Sequence, residues 1–137
     1  MRAVLDPNVF ISALLSAAGA PARAVRAFAE GRYELVVSPM LLEELERALA
    51  YPKLSARIDR EDAVAVVRWL RSSTTIAEDP SEQPTVRSRD PGDNYLIALA
   101  GSQRTALVSG DRDLLSLGDE LPVFSPSDFL ALLEEHE

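Results

Sequence analysis

Val108-Ser109-Gly110-Asp111-Arg112-Asp113-Leu114-Leu115 is the stretch whose reading decides the fold. It follows a short apolar run, Thr105-Ala106-Leu107-Val108, with the composition of a buried strand. A glycine turn then presents two carboxylates, Asp111 and Asp113, before the chain turns helical near Leu114-Leu115. The other end of the chain repeats the arrangement. Ala3-Val4-Leu5 runs straight into Asp6, and a helix-like apolar pattern follows. In an open α/β sheet, ligands bind just beyond the carboxyl ends of the strands. Two parallel strands that each deliver an Asp there bring like charges together. Each carboxylate then raises the pKa of the other unless a cation neutralises the pair.

The segments between these ends alternate between the two periodicities. Asn8 to Leu15 is apolar enough for a buried helix, and Pro7 fits its first turn, where a missing N–H costs nothing. A second helix is expected from about Pro21 to Glu30, stopped by Gly31. Glu34-Leu35-Val36-Val37 has strand character. Ser38-Pro39 is a strong helix start, followed by Leu41, Leu42, Leu45 and Leu49 on one face and an expected end at Tyr51-Pro52-Lys53. Asp59-Arg60-Glu61-Asp62 has the form of a capping box for a helix through Leu70. Thr74 to Ala77 is a weaker strand. Asp79 to Arg89 is aperiodic and predicts a mobile loop of a length often tied to function. A helix from about Gly92 to Gln103 precedes the Thr105–Val108 strand. Pro122-Val123-Phe124 is the last strand, and Ser125-Pro126 opens a terminal helix. The alternation predicts one three-layer α/β/α domain, residues 1–137, around a central parallel sheet.

Composition removes several chemistries. The chain has 137 residues, room for one core and not two. No Cys is present, which excludes disulfides, zinc–thiolate sites and a thiol nucleophile. The single His, His136, lies next to the C-terminal residue as an expected frayed tail, which argues against a Ser-His-Asp triad or a His-based metal site. No apolar run approaches the ~20 residues of a membrane span, and Asp6 comes too early for a signal peptide. The expectation is a soluble, cytoplasmic protein without membrane contact. The net charge is −8, but from Asp113 onward there are seven acidic residues and no Lys or Arg. Residues 1–112 carry 15 acidic against 14 basic side chains, 13 of the bases being Arg. Arg forks suit bidentate phosphate contacts, so a polyanionic partner is not excluded.

Four carboxylates occupy equivalent places. Asp6 ends the first strand. Glu44 lies in the second turn of the helix after the second strand, pointing back over the sheet edge. Asp93 opens the helix before the fourth strand, and Asp111 follows that strand. Oxygen donors without His or Cys suit Mg²⁺ or Mn²⁺. The chemistry that uses such a cluster is phosphodiester hydrolysis, in which one or two metal ions activate a water and stabilise the leaving oxygen. Each acid also has a plainer role to set beside this one. Asp6 and Asp93 are placed to cap helices, Asp90 is better placed still, and Glu44 sits among Glu43 and Glu46 on what would ordinarily be a solvated face. Asp113 is either an outer partner of the metal or a cap for Leu114-Leu115.

Four motifs in order resemble the PIN-domain ribonucleases, and within them the branch related to the VapC toxins. They are Val4-Leu5-Asp6-Pro7-Asn8-Val9, Ser38-Pro39-Met40-Leu41-Leu42-Glu43-Glu44-Leu45, Arg89-Asp90-Pro91-Gly92-Asp93 with the helix Leu96 to Ala100, and Val108 to Leu115. The resemblance implies a metal held by Asp6, Glu44, Asp93 and Asp111, with Asn8 and Ser109 as supporting polar residues. It implies a metal-dependent endoribonuclease, the toxin of a toxin–antitoxin pair, with an RNA substrate, an antitoxin partner and a homodimeric assembly. Arg87, Arg89 and Arg112 lie nearest in sequence to the acids and are the expected RNA-phosphate contacts. Pro7 departs from the family pattern, which has a small residue there, and removes one backbone N–H beside Asp6. The alternatives are a PIN-type processing nuclease outside such a pair and a non-catalytic RNA- or protein-binding module. Phosphoaspartate chemistry would want an Asp where Asn8 stands, and a receiver domain would want a late Lys. No P-loop or G-x-G-x-x-G signature is present.

Overall fold

The computed structural model describes residues 1–136. In chain order its elements are β1 (Arg2–Leu5), α1 (Pro7–Leu15), α2 (Ala20–Ala29), β2 (Glu34–Val37), α3 (Pro39–Leu49), α4 (Pro52–Ser55) and α5 (Arg60–Ser73). They continue with β3 (Thr75–Ile76), α6 (Asn94–Gln103), β4 (Ala106–Val108), α7 (Arg112–Leu115), β5 (Val123–Phe124) and α8 (Pro126–Glu135). The five strands form one sheet in the order β3-β2-β1-β4-β5, and every pairing is parallel. The chain builds outward from β1 in one direction, then crosses back to build β4 and β5 on the other side. The order therefore reverses between β1 and β4, and the crevice beyond the carboxyl ends of those two strands is where such a sheet binds ligands.

Register delivers two functional positions to that crevice. Val4 pairs with Leu107 and Leu5 with Val108. The Asp6 N–H continues the ladder to the Val108 carbonyl at 2.9 Å, and the Ser109 N–H reaches the Phe124 carbonyl at 2.9 Å. Asp6 and Ser109 thus leave their strands side by side. The strands are short and apolar because both faces are covered: Ala3, Val4, Leu5, Val36, Val37 and Val108 are fully buried. Helices α1, α2, α3, α5 and α8 pack against one another, while α6 packs on β1 and β4, which gives the three-layer α/β/α arrangement. No single helix is long and apolar enough to cross a membrane.

Most boundaries follow the local signals. Pro7, Pro39 and Pro126 stand in first turns behind Asp6, Ser38 and Ser125, whose side chains accept from Asn8, Leu41 and Asp128 N–H groups. Gly31, at φ 80°, follows α2 in the left-handed region that favours glycine. Several expectations need correction. Tyr51-Pro52-Lys53 does not simply end the third helix; α3 stops at Leu49, and Pro52 starts the short α4. Asp59 stands at the N-cap of α5 but its side chain makes no capping bond, so the capping box does not form. The helix expected from Gly92 is a 3-10 turn, Pro91–Asp93, that leads into α6. Residues 77–90 carry no regular structure, yet both ends are tied down. The Asp79 carboxylate accepts from the Met40 N–H at 2.9 Å, and the Ser88 N–H donates to the Asn94 side-chain oxygen at 2.9 Å.

Candidate active site

Asp6 is the buried centre of the acidic group. Only 4 % of it is exposed. One carboxylate oxygen caps α1 through the Asn8 N–H at 3.0 Å. The other accepts the Ser109 hydroxyl at 2.8 Å, and the Ser109 oxygen in turn accepts the Asp111 N–H at 3.0 Å. The capping role and the site role are therefore not alternatives, since each is served by a different oxygen. Pro7 removes no donor that this arrangement uses, because the first-turn N–H that reaches Asp6 belongs to Asn8. Burial pushes the Asp6 carboxyl above its ordinary range. The Asn8 and Ser109 bonds oppose this, and the charges of Glu44 and Asp111 add to it.

Asp93 shows the same strain more strongly. It stands at the junction of the 3-10 turn and α6, and its side chain makes no capping bond there; Asp90 does the capping, accepting from the Gly92 N–H at 2.9 Å. The Asp93 carboxylate is left free for other partners. The Ser88 hydroxyl approaches it at 3.4 Å. Its pKa is pushed up to about 7, first by burial, then by a side-chain hydrogen bond with Asp111 and the charges of Asp111, Asp90 and Asp6. Two carboxyl groups that share one proton cannot both ionise cheaply.

Glu44 enters from α3 on the opposite side. It is half-buried and accepts a hydrogen bond from the Tyr95 hydroxyl of α6. Burial, followed by Glu44, Asp6 and Asp79, raises the Tyr95 phenol well above its usual range, so it stays a donor. The four acids therefore form one linked group, in which Glu44 and Asp111 act on Asp6, and Asp111 and Asp6 act on Asp93. Tyr95, Ser88, Asn94 and Asp79 join that group without having been singled out in the sequence. Their signals are present but weak: two hydroxyls, an amide and one further acid beside the motifs.

The remaining candidates divide. Ser109 is fully buried and bonded as described. Asn8 is exposed, and what it contributes is its backbone N–H. Asp113 does not cap α7; Asp111 does, accepting from the Asp113 N–H at 3.1 Å. Nor is Asp113 among the charges acting on Asp6 or Asp93. Arg87, Arg89 and Arg112 are exposed, and none is in an ion pair among the described residues. Arg87 donates to the Pro84 carbonyl at 3.2 Å.

Among the described residues, no three His, Cys, Asp or Glu side chains are closed into a ready metal cage. The donor set nevertheless fits a hard divalent cation by its chemistry. It is made only of carboxylates, and Asp6 and Asp93 are raised first by burial and further by the neighbouring acids, a penalty that a bound cation would relieve. Two concavities lie elsewhere, ≈ 370 Å³ beside Ile97 and Val123 and ≈ 670 Å³ between α3 and α5. Neither carries acids of this group, and the site is defined by the converging carboxylates instead.

Comparison with known proteins agrees with this fold. The uncharacterized protein MJ1680 of Methanocaldococcus jannaschii is 30 % identical over 145 residues, covering 98 % of this chain and 93 % of that one. PAE2754 from Pyrobaculum aerophilum has a similar structure at a TM-score of 0.65 and 19 % identity, covering 98 % of this chain and 89 % of its own. VapBC2 from Rickettsia felis, solved bound to a DNA fragment from their promoter, aligns at a TM-score of 0.61 and 14 % identity over 91 % of this chain and 97 % of its own. A PilT N-terminus domain protein, SSO1118 from Sulfolobus solfataricus, aligns at 0.54 and 16 % identity over 100 % and 97 %. These structural likenesses show the fold. Residues 2–113, which hold all four acids, match the PIN domain family, whose members are generally nucleases. With that match and the fold in agreement, the chain belongs to the PIN domain family.

Proposed function

We propose that this protein is a metal-dependent endoribonuclease that cleaves RNA phosphodiesters, acting in the cytoplasm as the toxin of a toxin–antitoxin pair. The observation that carries the reading is the convergence of Asp6, Glu44, Asp93 and Asp111 at the strand-order reversal, with Asp6 and Asp93 held above their ordinary pKa by burial and, beyond that, by neighbouring acids. These four would hold Mg²⁺ or Mn²⁺. A cation bound there supplies charge stabilisation to the reacting phosphate and a lowered pKa for the attacking water. The chain's own residues prepare the place. Ser109 fixes the direction of Asp6 and ties it to the Asp111 backbone. The Asn94–Ser88 bond holds the loop end that carries Arg87 and Arg89 beside Asp93. Those two arginines and Arg112 remain exposed to receive the flanking phosphates. The likeness to VapBC2 supports an antitoxin partner, and the family resemblance supports a homodimer.

The test is cleavage of end-labelled single-stranded RNA by purified protein. Cutting is expected only with Mg²⁺ or Mn²⁺. Asp6→Ala, Asp93→Ala and Asp111→Ala should each abolish it, and Glu44→Ala should reduce it severely. Cutting that persists in EDTA, or that Asp93→Ala performs as well as the parent, would overturn the reading.

A further inference from the structure

We infer that Tyr95 is a positioning residue for the metal site, acting through Glu44. The inference rests on the metal-dependent reading above and adds to it a residue outside the carboxylate set. Glu44 is less constrained by its own segment than Asp6 or Asp111. Asp6 is fixed at both oxygens, and Asp111 is fixed by its cap to the Asp113 N–H. Glu44 has a longer side chain, sits in mid-helix without a backbone donor to hold it, and is half-exposed. Left to itself, such a side chain spreads over several rotamers and points into water. The Tyr95 hydroxyl takes one of its oxygens, Oε2, and leaves Oε1 uncommitted.

The position of Tyr95 makes this more than a local contact. It lies two residues after Asp93, in the first turn of α6. That helix is anchored to the sheet by the buried Leu96, Ile97, Leu99 and Ala100. Glu44 belongs to α3, 51 residues away in sequence. One hydroxyl therefore sets Glu44 relative to Asp93 by joining the two helices that carry them. The tyrosine lies close enough to Asp6 for that charge to act on it as well. Partners that orient metal-binding side chains in this way change metal affinity by about 10–100-fold when removed.

The experiment is Mn²⁺ titration of the purified full-length protein, read as free Mn²⁺ by electron paramagnetic resonance. The proteins compared are the parent, Tyr95→Phe, Glu44→Gln and the double variant. Phenylalanine keeps the ring and its packing and removes only the hydroxyl. Thermal melting without metal reports any purely structural loss. The expected result is that Tyr95→Phe weakens Mn²⁺ binding by about tenfold or more. Its metal-free melting should stay near that of the parent, and the substitution should have no further effect in the Glu44→Gln background, because the two residues act as one unit. Equal Mn²⁺ affinity of the parent and Tyr95→Phe would overturn this inference and leave the metal reading standing. A loss that is just as large on top of Glu44→Gln would overturn it too, since Tyr95 would then act through something else. Failure of the parent to bind Mn²⁺ would remove the metal reading and this inference together.

Discussion

Burial, and after it the neighbouring Asp111, hold the Asp93 carboxyl well above the ordinary carboxylate range, and this fixes how stability should vary with pH. In the unfolded chain Asp93 titrates near 3.8, and in the fold its value rises to about 7. Between those values the folded state holds a proton that the unfolded state has released. Raising the pH through that window therefore removes stability, and the loss is complete above the folded value. Asp6, raised mainly by burial, contributes in the same direction. Melting of the EDTA-treated protein should fall relative to Asp93→Asn between pH 4 and 7, with the difference levelling off above that; parallel curves would refute it. Saturating Mg²⁺ should flatten the dependence, because the cation favours the ionised form. Ser109 belongs to the same scale. It is fully buried, donates to Asp6 and accepts from the Asp111 N–H. Ser109→Ala leaves one buried acceptor and one donor short of a partner, and should cost about 1.5–3 kcal/mol in urea unfolding, as for hydrogen bonds to charged groups. A cost under half a kcal/mol would mean that Asp6 is held mainly by its α1 cap.

Helix ends are where the elements carry their remaining strain. Arg104 closes α6 at φ 53°, ψ 50°, a left-handed conformation that a residue with a Cβ adopts at a cost. Arg104→Gly should relieve that cost and raise stability by up to about 1 kcal/mol, the larger unfolded-state freedom of glycine cancelling part of the gain. A higher urea midpoint at unchanged slope would confirm it; a lower midpoint would show that the Arg104 side chain contributes more than its backbone costs. The same elements show what a single sequence reveals. Four strands are legible as short apolar runs bounded by turns, and β3 only weakly because Thr75-Ile76 is short and half polar. The helices behind Ser38 and Ser125 are legible because serine followed by proline is a local signal. Asp59 misled because the spelling of a capping box does not ensure the side-chain rotamer that closes it. Helix α4 was missed because four residues show no periodicity. In the site, Asp6 and Asp111 could be read from strand ends. Tyr95 and Asp79 could not, since their roles come from contacts with Glu44 and Met40 across 51 and 39 residues of chain. No local pattern records such contacts.

A net charge of −8 sets the problem that the whole molecule must solve if it handles RNA. Much of the excess lies on the C-terminal segment, and α8, returning from the strand-end edge, carries Glu134 and Glu135 at its far end. Ten helical residues span about 15 Å, more than the ~8 Å screening length at physiological ionic strength. The charges of Glu134 and Glu135 are therefore held at the far end of α8, while residues 1–112, which supply the four acids, are close to neutral. Only a cation among Asp6, Glu44, Asp93 and Asp111 would reverse the local sign. Binding it should also raise the melting temperature, by about 2.7 kcal/mol of stability at a hundredfold excess over Kd; a melting point indifferent to Mg²⁺ and Mn²⁺ would count against a shared metal site. With the cation present, the exposed Arg89 and Arg112 become the groups that engage flanking phosphates. Each phosphate neutralised releases condensed counterions, so RNA affinity should fall as salt rises, with a log–log slope set by the number of such contacts. Arg89→Ala or Arg112→Ala should weaken binding of a labelled single-stranded RNA and flatten that slope by about 0.7, the single-strand value for one lost contact. Titrations at several salt concentrations, with Mn²⁺ held constant, all four acids intact and binding read before appreciable cleavage, measure it directly. A weaker affinity at unchanged slope would mean that these arginines position the loop rather than the phosphate. An unchanged affinity for both variants would move the RNA path away from the Asp93 loop altogether.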